Sequence, residues 1–260
     1  MQVFPNRIQR LINEGYSFNF GDYISRGFDI MNKNVGLFIG FIIVWGMISS
    51  VPTFFPVIYG INLLELVMSI FVSPCLMIGF AMACKDTEDN KSLIFERFFD
   101  GFKHWKGLAI VALIQSAIII LPSIAIGGMA YTAMDLVEWT RVAVDNPLTY
   151  VVFFAFFILI FYIAICWQFA PMFVVFENMA PWPAMEASRK IINKKWFIFF
   201  GFAFTVGILM MLGIIGLFIG VLYTIPAGMA MFYACYSDIV GFADENEEMD
   251  ILDHFVEMDS

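Results

Sequence analysis

Few residues in this 260-residue chain are of types that do chemistry, and their spacing assembles little of it. There are two histidines, His104 and His254, and no HExxH, GxSxG or P-loop string, so zinc-protease, nucleophile-elbow and phosphate-loop arrangements are not spelled out. His254 stands among Asp250, Asp253 and Glu257. That spacing suits a loose divalent-cation site, but a solvated acidic tail is the simpler reading. Cys75, Cys84, Cys166 and Cys235 form no CxxC pair and fall in apolar stretches, where cysteine serves as a small, reduced, apolar residue. No catalytic residue, cofactor or metal ligand is assigned, and the chain reads as a non-enzyme.

The remaining candidates are polar or helix-breaking residues inside apolar runs. Glu65 lies about one turn into such a run, and an ionisable group there is a functional candidate by default; near a membrane surface it is also a long side chain reaching for headgroups. Pro74, Pro171 and Pro226 each interrupt an apolar helix and would free backbone carbonyls, either to line a cavity with Gln168 or simply to bend helices for packing. If a ligand is carried, this lining suits an apolar or amphipathic one.

The elements that must position these residues are membrane helices. The chain is 61% hydrophobic and only 14% charged, with mean hydropathy +0.82, whereas soluble domains are about 25% charged. Trp196 to Val240 runs 45 residues with a single formal charge, Asp238. One helix of that length would be about 68 Å long against a bilayer core of about 30 Å, so the run crosses twice and turns near Gly213, Gly216 and Gly220. Upstream, spans are expected at 35–55, 61–84, 107–130 and 149–176, and the last pair at 196–213 and 216–240. The fold class is all-α integral membrane with six crossings, and the membrane domain covers 22–240 after a lead-in at 1–21 in which Arg7 to Ile12 suits a short amphipathic turn. No cleavable signal peptide is expected, because the first apolar run starts near Val35.

A leader precedes each pair of spans. In the first, Ile24, Gly27, Phe28 and Met31 share one helical face; in the second, Phe95, Phe98, Phe99 and Phe102 do so, with Arg97, Lys103, His104 and Lys106 around them. The third is ENMAPWPAMEASRKIINKK at 177–195. These patterns suit amphipathic helices in the membrane interface, or equally helices packed on the bundle itself. Lysine and arginine fall on alternate connections: thirteen on the side of both termini, and Arg141 alone on the other. The positive-inside rule then places both termini in the cytoplasm, and the bacterial inner membrane is the expected location. Nine acids and no base fall in 237–260, so the net charge of −9 belongs to this C-terminal end, and eight of those acids lie in the tail at 241–260. The expected partners are membrane lipids and a protein docking on that tail, with no nucleic acid.

MNKNVGLFIGF (31–41) lines up with INKKWFIFFGF (192–202), and SPCLMIGFAMAC (73–84) with IPAGMAMFYAC (225–235). The middle unit is looser, opening at HWKGLAIVA and closing at APMFVVFEN around Pro171. Three parallel hairpin repeats are read, at about 22–86, 93–177 and 183–240, their pseudo-axis along the membrane normal. With ISRGFDIMNKNVGLFIG, FFDGFKHW, AMEASRKIINKKW and GLFIGVLYTIPAGMAMFYACYSD, the chain over 22–240 resembles the YciC-like group of bacterial six-span membrane proteins of unknown function. It is also similar to the membrane domain preceding some glycerophosphodiester phosphodiesterases. The resemblance implies the six-span fold and brings no catalytic residues. The leading functional reading is an interaction or accessory subunit of a membrane complex; the alternative is a carrier of lipid-like molecules.

Overall fold

The structure, a computed structural model, describes residues 5–55, 62–118, 147–215 and 219–242, and all regular structure among them is helical. In chain order these are α1 (Asn6–Glu14), α2 (Phe20–Lys33), α3 (Val35–Ser50) and α4 (Leu63–Glu88). A 3₁₀ leader (Phe95–His104) leads directly into α5 (105–118). Next come α6 (Pro147–Cys166), α7 (Ala170–Phe176), α8 (Pro181–Lys194), α9 (Trp196–Ile215) and α10 (Ile219–Ile239). The remainder of the third expected span, most of its following connection and the acidic tail with His254 lie outside the described residues.

Among the described residues, four helical stretches are long and apolar enough to cross a membrane: Val35–Phe54, Leu63–Glu88, Phe154–Phe176, which is interrupted by a turn at 167–169, and Trp196–Ile214. The second runs four residues past the Cys84 end read from the sequence, because Lys85, Asp86 and Glu88 satisfy their charges against neighbouring elements. Large apolar side chains such as Met47, Phe54, Phe157, Phe204 and Met211 project outward, a surface that only lipid or another protein would cover cheaply.

The prolines act on the backbone in different ways. Immediately before Pro74, residues Met68–Val72 widen into a π-turn. Proline has no N–H for the carbonyl four residues back and its ring crowds that carbonyl, and one wide turn accommodates both. Pro226 sits buried within α10, which stays helical around it. At Pro171 the helix breaks: α6 ends at Cys166, residues 167–169 turn, and Pro171 occupies the first turn of α7.

The leaders lay most of their apolar faces on protein; Phe102 of the second is exposed, because three residues per turn in the 3₁₀ leader align Phe95, Phe98 and Gly101 instead. α2 packs along α10, the 3₁₀ leader along α4, and α8 along α7. Each carries one small residue at its crossing. A Cβ on Gly27 would meet the backbone of Met231, and one on Gly101 the carbonyl of Cys75; facing it, Gly79 abuts the carbonyl of Phe98. In α8 the small residue is Ser188, fully buried. The junctions after α2 and α8 match in detail: Asn34 has φ −141° and ψ 43°, and Lys195 φ −130° and ψ 40°. The side chains two residues earlier match as well, since Asn32 Oδ1 accepts from the Tyr223 hydroxyl at 2.8 Å and Asn193 Oδ1 from that of Tyr162 at 3.1 Å.

The core is concentrated at this leader end. Phe98 is fully buried, stacked on Phe41 at 4.5 Å and edge-on to Phe38 at 5.4 Å. Tyr236 is likewise buried, ringed by Phe169, Phe173 and Phe176 at 5.3–5.9 Å. The Lys85 ammonium lies 3.9 Å above the Phe242 ring, joining the end of α4 to the segment after α10.

Candidate functional site

Two of the sequence candidates meet in one cavity. Gln168 and Pro171, from the α6–α7 break, line a space of about 210 Å³ with Ile163, Trp167, Met77 of α4 and Gln115 of α5. The break adjoins the space: at 167–170 the chain tightens, the Gln168 N–H bonding to the Ile165 carbonyl and the Ala170 N–H to the Trp167 carbonyl, each three residues back. Two amide side chains and an indole give it hydrogen-bonding capacity without charge, and the other walls are apolar. Such a lining suits a small neutral group or water and offers no acid, base or nucleophile. Pro74 is three residues before Met77 and shapes this wall only through its π-turn. Pro226 belongs to α10, away from the lining residues. Glu65 is exposed in the first turn of α4, where Asn62 Oδ1 accepts from the backbone N–H groups of Leu64 and Glu65. A carboxylate there also faces the positive end of the helix dipole.

Ser188 holds the break open, and its role was not read from the sequence. Its Oγ donates to the Cys166 carbonyl at 2.7 Å and accepts from the Phe169 N–H at 3.2 Å. Both backbone groups lost their helical partners when α6 stopped, and one hydroxyl from the neighbouring leader satisfies both. The signal was present, since Ser188 shares a helical face with Ala184, Ala187, Ile191 and Ile192, a polar residue on an otherwise apolar stripe.

A second polar assembly lies where α2, α4 and α10 meet. The Arg26 guanidinium pairs with Glu88 at 2.6 Å, and the Tyr23 hydroxyl donates to Asp238 at 2.6 Å. Glu88 also accepts from the hydroxyls of Tyr233 and Ser237, at 3.0 and 3.3 Å. Burial opposes the Arg26 charge most strongly, but the bond to Glu88 and the charges of Glu88, Asp22 and Asp238 together outweigh it, and the pKa rises. Nearby, Arg97 pairs with Asp86 at 2.6 Å and Asp100 at 2.8 Å, and Arg7 pairs with the buried carboxylate of Glu177. Hydrogen bonds from Lys103 and then Arg97 hold the Asp100 carboxyl below the usual range, and Arg189 does the same for Glu186. Acids at the ends of α4, α7 and α10 are thus each engaged by an arginine of a leader or of α1. The cysteines are free and buried, and no group of three or more metal-binding side chains comes together among the described residues.

Comparison with known proteins gave no match of the chain to a family model, a curated protein or a solved structure.

Proposed function

We propose that the chain is a six-span, non-enzymatic membrane protein that serves as an interaction or accessory subunit of a membrane complex. The spans would be arranged as three hairpin repeats of the YciC-like kind, in the bacterial inner membrane with both termini cytoplasmic. Support for the repeats comes from the matched junction dihedrals and the matched Asn–Tyr bonds of Asn32 and Asn193. Spacing adds to it, because Pro74 precedes Asp86, and Pro226 precedes Asp238, by twelve residues each. The order of packing also fits a closed ring, with each leader lying on the second helix of the preceding unit and α2 closing onto α10. The cytoplasmic assignment rests on the thirteen cations gathered at the leader end.

One observation favours a subunit over a carrier. The leader end is filled by Tyr236, Phe169, Phe173, Phe176 and Phe242 where the second helices converge, with Lys85 across the last ring. A route for a lipid-sized molecule along the pseudo-axis would have to pass this plug. The carrier reading draws on the Gln115–Gln168 cavity, but 210 Å³ is below the roughly 300–1,000 Å³ of pockets that enclose drug-sized ligands. The acidic tail offers the complementary docking element for a basic partner. The test is co-purification from native membranes with and without residues 244–260, a deletion that spares Phe242. A stoichiometric partner lost on deletion is the expected result. A chain that purifies alone with acyl-chain density in the Gln115–Gln168 cavity would favour the carrier instead.

A further inference from the structure

The matched leader–span junctions differ in charge. At the α2–α3 junction a cavity of about 530 Å³ is lined by Arg26, Asp29, Ile30, Asn32, Lys33 and Glu88. Its two cations are balanced by two acids. Arg26 is bound to Glu88, and the Lys33 ammonium donates to the Thr87 carbonyl at 3.3 Å and Asn90 Oδ1 at 2.9 Å. At the α8–α9 junction a cavity of about 620 Å³ contains Lys194, Lys195, Asn193, Tyr162 and Trp196, and no acid is among its lining residues. Lys194 donates once, to the Asn13 carbonyl at 2.9 Å, and the Lys195 ammonium stands 5.3 Å from the Tyr16 ring. Neither contact neutralises charge. At the mouth, Phe197 is 83% exposed and Ile198 45% exposed, so an apolar surface adjoins two uncompensated cations.

A ligand matching this surface carries a negative head and a hydrocarbon body. We infer that the α8–α9 junction is a specific site for an anionic phospholipid. The phosphate would be held by the Lys194 and Lys195 ammonium groups, with acyl chains along Phe197 and Ile198. Aromatic and basic side chains at a span's first turn are suited to this depth of a bilayer. The inference rests on the membrane reading but not on the subunit reading. The neutral cavity at Lys33 is its internal control.

The test uses the full chain reconstituted into vesicles of equal phosphatidylglycerol and phosphatidylcholine, followed by mild detergent extraction and quantification of the lipid retained per chain. Wild type should retain phosphatidylglycerol in preference. K194Q/K195Q should lower that preference by up to about thirtyfold, while K33Q leaves it intact and K194R/K195R preserves it. Equal retention by wild type and K194Q/K195Q would overturn the site. So would inorganic phosphate at millimolar concentration displacing the lipid completely, which would mark the pocket as a free-anion site. A chain that fails to float with the vesicles overturns the membrane reading itself, a result separable from both.

Discussion

Replacing Ser188 by alanine removes one hydroxyl and strands two backbone groups. The Cys166 carbonyl loses its 2.7 Å donor and the Phe169 N–H its 3.2 Å acceptor, in a place where Ser188 is fully buried and water has no access. Each unpaired buried group costs about 1–3 kcal/mol, so about 2–6 kcal/mol is expected for the pair. The chain has one route of escape. If residues 167–169 rewound, the Phe169 N–H would reach the Ile165 carbonyl and the Ala170 N–H that of Cys166, healing both. Pro171 blocks that route, because its ring would strike the Trp167 carbonyl four residues back in a continuous helix. The double substitution Ser188→Ala with Pro171→Ala should therefore recover much of the loss. The assay is reversible unfolding in mixed micelles followed by tryptophan fluorescence, for which Trp167 is a reporter inside the break. A loss below about 0.5 kcal/mol for Ser188→Ala would mean that its hydroxyl is not the partner of these groups, since a lost cap alone is worth about that much. Strict additivity of the two substitutions would refute the blocked-rewinding account.

Further outcomes follow from the packing and the charges. Gly79→Ala places a methyl on the Phe98 carbonyl, which the 3₁₀ leader cannot vacate without leaving α4, so a loss of at least about 1–3 kcal/mol is expected in the same unfolding assay. Phe98→Ala empties the centre of the Phe38–Phe41–Phe80 cluster and should cost about 3–5 kcal/mol, with the 3₁₀ leader becoming susceptible to limited proteolysis. The Asp100 and Glu186 carboxyls titrate below their unfolded values of about 4, so their contribution is complete above that pH and is lost as pH falls through the lower folded values. Melting temperature should thus be flat in this respect from pH 8 to about 5 and drop below about 4; a drop confined to pH 6–8 would show that these pairs do not govern the profile. Single cysteines at positions 91 and 141, in a background lacking the four native ones, should react with an impermeant maleimide in intact cells only at 141, and labelling at 91 would reverse the orientation.

How far the sequence reaches can be judged element by element. The apolar runs at Val35–Phe54, Leu63–Glu88, Phe154–Phe176 and Trp196–Ile214 were legible because hydrocarbon leaves the backbone no alternative to helix, and a run's length then states whether it crosses. The local likeness of Asn32–Lys33–Asn34 to Asn193–Lys194–Lys195 was legible too, since similar short strings adopt similar junctions. The leaders' apolar faces were visible, but a lipid surface and a helix surface ask for the same stripe. Only the close approaches at Gly27, Gly79 and Gly101 decide that the faces lie on protein. Likewise, three prolines looked alike in the sequence. One widens a turn, one is absorbed within α10 and one ends a helix, because the outcome depends on what neighbouring backbone or hydroxyl is near enough to satisfy the freed groups. Ser188 supplies that partner only at Pro171. The sequence alone determined which segments are helical and apolar, a matter of local chemistry; which side chain answers which broken bond depends on residues about twenty positions or more apart, and only the tertiary structure brings those together.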